Sequence, residues 1–179
     1  MSKTVPIIVD LDGTLVRNDT LYVLAWQILL KKPWACVMLP IKLLNGKAAM
    51  KQYMSSVLDL EPSPLSFHKE LVDWLLQQKE SGRAIILCTA SSQQVADIIA
   101  DHVGFFDEVI GSDGDTNLSG ERKAALLLKR YGQQGFDYCG NASVDLKVWA
   151  QANGAIVVNA KAGLAAQASS LCPVVKEFT

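Results

Sequence analysis

The sequence predicts an α/β fold, a doubly wound parallel sheet of about five strands with a helical insertion after the first. Three observations carry that prediction. Short apolar runs, some rich in β-branched residues, recur along the chain. Helix-like stretches separate the later runs. Roughly sixty to seventy residues part the first run from the second, more than one crossover helix needs.

Residues 5–9 read as the first strand, because Ile7, Ile8 and Val9 run without a polar break, as in a strand covered on both faces. The insertion reads as helices over 20–31, 34–44 and 47–58, with Asn45-Gly46 and Pro62/Pro64 as punctuation. A fourth helix, 66–80, leads through Gly82 into the second strand, 84–88, and so belongs with the sheet. Helix 92–102, strand 108–110, helix 122–131, strand 136–139, helix 144–152 and strand 155–158 complete the alternation. The tail "LCPVVKEFT" reads as either an edge strand or a linker. Segments 1–17 and 82–179 are thus expected to form the sheet domain, with helix 66–80 on it, and 18–65 the insertion.

Composition narrows the function. Half of the 179 residues are hydrophobic, a fifth are charged, and the net charge is −1 with no basic cluster. No nucleic-acid partner is expected from that. Cys36, Cys88, Cys139 and Cys172 form no CxxC pair. They read as free thiols in a reducing, cytoplasmic compartment rather than a zinc site. The first residues enter a strand directly, so no signal peptide is expected. Residues 21–44 are the most apolar stretch, broken by Lys31, Lys32, Pro33 and Pro40. They are too interrupted to span a bilayer but apolar enough to lie against one.

Chemistry concentrates where strands end. The first strand runs into Asp10, with Asp12 beyond it; the second ends in Thr89 and Ser91; the fourth ends in Gly140 and Asn141, with Asp145 a turn later; Lys123 opens the preceding helix. In a doubly wound sheet these ends share one edge. Ionised carboxylates are costly beside a core, so a compensating cation is expected. Mg²⁺ needs only one or two carboxylates, since it keeps several waters. A hydroxyl and a lysine can hold the oxygens of a transferring phosphoryl group. Arg122 is a rival to Lys123, Ser91 reads as the cap of the next helix, and His68 and His102 read as surface or packing residues. Without a histidine base a serine-hydrolase reading fails. Trp26, Trp34, Met38 and Trp149 read mainly as core or insertion packing.

"DLDGT" closing an apolar strand, Thr89 closing another, Lys123, and "GNASVD" after a third together resemble the four motifs of the haloacid dehalogenase (HAD) superfamily. The resemblance covers essentially the whole chain, and the insertion matches the position of a type C1 cap. Longer stretches such as "VDLDGTLVRNDTL" and "FDYCGNASVDLKVWAQANGAIVVN" are similar to the HAD domain associated with UbiA-type prenyltransferases. The resemblance implies a Mg²⁺-dependent phosphomonoester hydrolase working through an aspartyl phosphate. Asp10 would be the nucleophile and Asp12 the acid and then the base. Thr89, Ala90 and Lys123 would hold the phosphoryl group. Asp10, the Asp12 carbonyl, Asn141 and Asp145 would serve the metal, Asn141 standing where many relatives carry aspartate. The implied substrate is a small phosphate ester with an apolar or prenyl portion received by cap tryptophans and leucines. The implied partner is a membrane surface or a UbiA-type prenyltransferase at the inner face of the membrane. The alternative is a weakly active or inactive docking domain.

Overall fold

The computed structural model describes residues 5–113 and 116–179. The first four residues of the segment assigned to the sheet lie outside them. Six strands form one sheet: β1 (Ile7–Val9), β2 (Ile85–Ser92), β3 (Glu108–Ser112), β4 (Asp137–Gly140), β5 (Gly154–Val158) and β6 (Val174–Phe178). Their order is β3-β2-β1-β4-β5-β6, and every neighbouring pair is parallel. The chain winds outward from β1 in one direction and then in the other. A crevice therefore opens beyond the carboxyl ends of β1 and β4.

β1 shows why its apolar residues are consecutive. Ile7 and Val9 join one buried cluster with Leu75, Leu87 and Ile99; Ile8 joins the other, with Leu127, Tyr138 and Trp149. All three β1 side chains are fully buried, each worth about 1.5–3 kcal/mol. Helices α4 (Lys69–Glu80) and α5 (Gln93–Val103) cover the first face. Helices α6 (Glu121–Tyr131), α7 (Leu146–Trp149) and α8 (Leu164–Ser169) cover the second.

The sixth strand settles the tail. β6 pairs with β5, and of its residues only Phe178 is buried, edge-on to Trp74 and His68. One buried side chain in five leaves little periodicity to read. Two helices differ from expectation. The stretch 34–44 divides into a 3₁₀ turn (Pro33–Met38) and α2 (Leu39–Leu44), because Pro40 has no N–H to bond back into the turn before it. The stretch 144–152 contracts to a 3₁₀ turn (Ser143–Asp145) and the short α7.

Between β1 and α4 lie α1 (Thr20–Lys31), α2 and α3 (Lys47–Val57). The Asp19 side chain caps α1 by accepting from the Leu21 amide at 2.9 Å. The two strands of chain that join this helical segment to the sheet pair with each other: Arg17 N–H donates to Ser66 O at 2.8 Å and His68 N–H to Leu15 O at 2.9 Å. One packing expectation is corrected here. Trp149 is buried, but Trp26 and Trp34 are exposed, because α1 turns Leu24 and Ile28 inward instead.

Candidate active site

β1 ends at Val9 because the next residues leave the ladder. Asp10 N–H still donates to Cys139 O at 3.1 Å, and the chain then coils so that Leu15 N–H reaches Asp10 O at 3.3 Å. Gly13 makes that coil possible. Its φ is +78°, and an added Cβ would stand 2.1 Å from Asn141 Nδ2. The same closeness sets Asn141 against the loop, where its Oδ1 accepts from Thr14 Oγ1 at 3.3 Å.

Asp10 Oδ1 takes a hydrogen bond from Lys123 Nζ at 2.5 Å. Lys123 also donates to Tyr138 Oη at 2.9 Å, and Tyr138 Oη donates to Asp145 Oδ1 at 2.9 Å. Asp145 Oδ2 accepts the amides of Asn141 and Ala142, both at 3.0 Å. Gly140 admits this close approach, since a Cβ there would lie 2.7 Å from the Asp145 carboxyl. Asp145 is thus a buried brace for the loop that carries Asn141. Exposed Arg122 takes no part, so the cation is Lys123.

Electrostatics mark Asp10 out. Burial, together with the charges of Asp145 and Asp12, outweighs Lys123 and pushes its carboxyl from 3.8 to about 6. Burial pulls the Lys123 ammonium down, but Asp10, Cys88 and Asp145 overcome it and its net shift is upward. Among the described residues, Asp10 Oδ2 makes no hydrogen bond. A cavity of about 150 Å³ opens there, lined by Asp10, Asp12, Thr89, Ala90, Lys123, Asn141 and Asp145, with Ser119 and Gly120. The structure therefore brings together every residue the sequence nominated.

The Asp12 carboxylate is held differently. Oδ1 accepts the Thr20 amide at 2.7 Å, and Oδ2 accepts Ser91 Oγ at 2.9 Å. Ser91 is therefore not the cap of α5; Ser92 is, accepting from Val95 N–H at 3.4 Å. β2 runs on to residue 92, which moves the cap by one position. His68 is buried and caps α4 through Nδ1, and His102 is exposed and stacks on Phe67.

Two participants went unread in the sequence, and a third, Ser91, was read as a helix cap. Tyr138 could have been found, because a tyrosine inside a fully buried strand needs a partner for its hydroxyl. Ser91 stood out as a strand end, but nothing in the sequence directed it to Asp12. Lys51, on α3, donates to Ala90 O at 2.7 Å. Burial lowers its pKa against the pull of Asp12 and Asp19. Nothing in the helical pattern separates it from a solvated lysine. It also lines a second cavity of about 330 Å³ with Gln52, Ser55, Ser92 and Gln93. Trp26 and Trp34 line neither cavity.

The residues that would hold a cation, Asp10, Asp12 and Asn141, line one cavity and offer oxygen donors. Such a set suits Mg²⁺ completed by waters and a phosphate. Burial raises the Asp10 carboxyl, the charges of Asp145 and Asp12 add to it, and a cation would relieve both. The residues fit the ion. Both Asp145 oxygens are engaged, so Asp145 would serve the ion by bracing the loop that carries Asn141.

The model of the haloacid dehalogenase-like hydrolases matches residues 7–149. The uncharacterized protein y4nM of Sinorhizobium fredii is 33% identical over 156 residues, 87% of this chain and 30% of its own. The chain thus spans about a third of that relative's length. An apo phosphoserine phosphatase superposes with a TM-score of 0.63 at 15% identity, over 98% of this chain and 94% of its own. A predicted phosphatase from Clostridium acetobutylicum gives 0.65 at 14% identity, over 99% and 94%. At such identities these two share the fold. With four-fifths of its length matched by the family model, the chain belongs to the haloacid dehalogenase-like hydrolases.

Proposed function

We propose that this domain hydrolyses small phosphate monoesters with Mg²⁺, through an aspartyl phosphate on Asp10. The observation that carries the proposal is the asymmetry of the Asp10 carboxylate: Oδ1 is fixed by Lys123 while Oδ2 meets a polar cavity beside Thr89. Oδ2 attacks phosphorus as the ester P–O bond breaks. Asp12, aimed by Thr20 and Ser91, protonates the departing oxygen; it then takes a proton from water, which attacks the aspartyl phosphate and frees inorganic phosphate and Asp10. Thr89, the Ala90 backbone and Lys123 hold the phosphoryl oxygens. Mg²⁺, held by Asp10, the Asp12 carbonyl and Asn141, supplies charge neutralisation at the phosphoryl group. The helical segment acts as a cap, with the paired chain at 15–17 and 66–68 as its hinge.

Lys51 and the serines beside it place polar groups in a lining that is otherwise mostly apolar. An apolar or prenyl portion of the substrate is compatible with that lining. A panel of phosphate esters should show Mg²⁺-dependent turnover that Asp10→Asn abolishes; equal turnover in the variant would end this reading. A second reading is favoured by neutral Asn141. There the domain binds a phosphorylated ligand, or a UbiA-type prenyltransferase at the cytoplasmic membrane face, without turnover. Tight phosphate-ester binding with no hydrolysis at saturating Mg²⁺ would select it.

A further inference from the structure

The outer face of the helical segment is apolar, cationic and uncovered. α1 buries Leu24 and Ile28, yet Tyr22, Trp26 and Leu30 are 75%, 62% and 65% exposed. At about 100° per residue these three form a stripe opposite the buried one, so the helix is apolar on two sides. A helix of that kind ordinarily has both sides covered. The patch continues through Trp34 and Val37 to Leu44, 69%, 74% and 87% exposed, and α2 buries no residue at all. Substrate capture does not account for it, since none of these side chains lines a cavity at the catalytic edge.

Charge selects the occupant. Of the chain's 17 lysines and arginines, five lysines (31, 32, 42, 47 and 51) fall within residues 20–58, which contain no aspartate or glutamate. The remaining twelve share the rest of the chain with all 18 acids. Lys31 is paired with Glu61, Lys32 donates to Val57 O, Lys42 lies over the Tyr53 ring and Lys51 is turned into the site, while Lys47 stays exposed. A second copy docked through the same face would set lysines against lysines, which disfavours self-association there. We propose that this face docks on an anionic lipid bilayer. Tryptophan and tyrosine place an apolar body in the acyl boundary and a polar tip among headgroups, and neighbouring lysines meet the lipid charge. The helices lie along the surface; no helix of the described residues is long and apolar enough to cross.

The inference stands apart from the hydrolase reading and is tested without turnover. The protein is floated with vesicles of phosphatidylcholine alone and of phosphatidylcholine enriched in phosphatidylglycerol, with tryptophan emission followed in parallel. Binding to the anionic vesicles is expected, with a blue shift and with loss at high salt. Trp26→Ser combined with Trp34→Ser should abolish it, while circular dichroism stays unchanged because both side chains are exposed. Lys42→Gln with Lys47→Gln should weaken it roughly tenfold or more, from about 1 kcal/mol per lysine. No flotation on anionic vesicles would overturn the proposal. So would equal flotation of the tryptophan variant, or a dimer in solution that the same substitutions dissociate.

Discussion

The two ends of the sheet each hold a buried ion pair, and the pair at the carboxyl ends lines a cavity. At the amino ends of β2 and β4, Arg83 donates to Asp137 at 2.6 Å and twice to Val5 O, and Asn153 donates to the other Asp137 oxygen at 2.8 Å. Each carboxylate oxygen there has a partner. At the carboxyl ends, Lys123 and Asp10 are as well buried, but among the described residues one Asp10 oxygen has no hydrogen-bond partner, and its carboxyl is pushed up to about 6. A satisfied pair is architecture. An unsatisfied one, raised by burial and like charges and opened to a polar cavity, is a site.

That contrast can be broken by substitution. The largest effect belongs to Asp10→Asn, expected to lower kcat by about four orders of magnitude or more with the melting temperature unchanged or higher. Steady-state assays and calorimetry on one preparation would check both. At the opposite end, Asp137→Ala leaves Arg83 buried and unpaired, costing about 3–5 kcal/mol of stability with kcat preserved in the folded fraction. Denaturant titration is the measurement, and a loss below about 1 kcal/mol would undo the architectural reading.

Asn141→Asp adds the charge that the metal set lacks. It should tighten Mg²⁺ about tenfold by calorimetry; an unchanged or weaker affinity removes Asn141 from that set. The smallest effect is one of pH. A carboxyl raised in the folded state binds its proton more tightly there than when unfolded. Its contribution to stability is full below about pH 4 and is lost as pH rises through about 6. Metal-free wild type should therefore lose stability over that window relative to Asp10→Asn, and Mg²⁺ should shrink the loss. Parallel slopes for the two proteins would contradict the raised carboxyl.

What the sequence revealed follows from which forces leave a periodic trace. β1 and the strand end at Asp10 were legible because a strand covered on both faces is an unbroken apolar run, and a carboxylate at its end is conspicuous. Lys123 emerged only with its motif partners, since its burial depends on how α6 packs. β6 stayed ambiguous because Phe178 alone is buried. The exposure of Trp26 on α1 and of Trp34 in the turn after it was misread, as composition records that both are apolar but not which way they point. The contacts of Ser91 and Lys51 were invisible for a related reason: each is made with a residue dozens of positions away.

The most direct test of the central claim is a chemical trap. Protein turning over a phosphate ester with Mg²⁺ is quenched in acid, digested and read by mass spectrometry. A phosphoryl group on the peptide carrying Asp10, absent without Mg²⁺ and absent in Asp10→Asn, is the result this account predicts. Turnover with no phosphoryl group on Asp10, or with one on another residue, would contradict it.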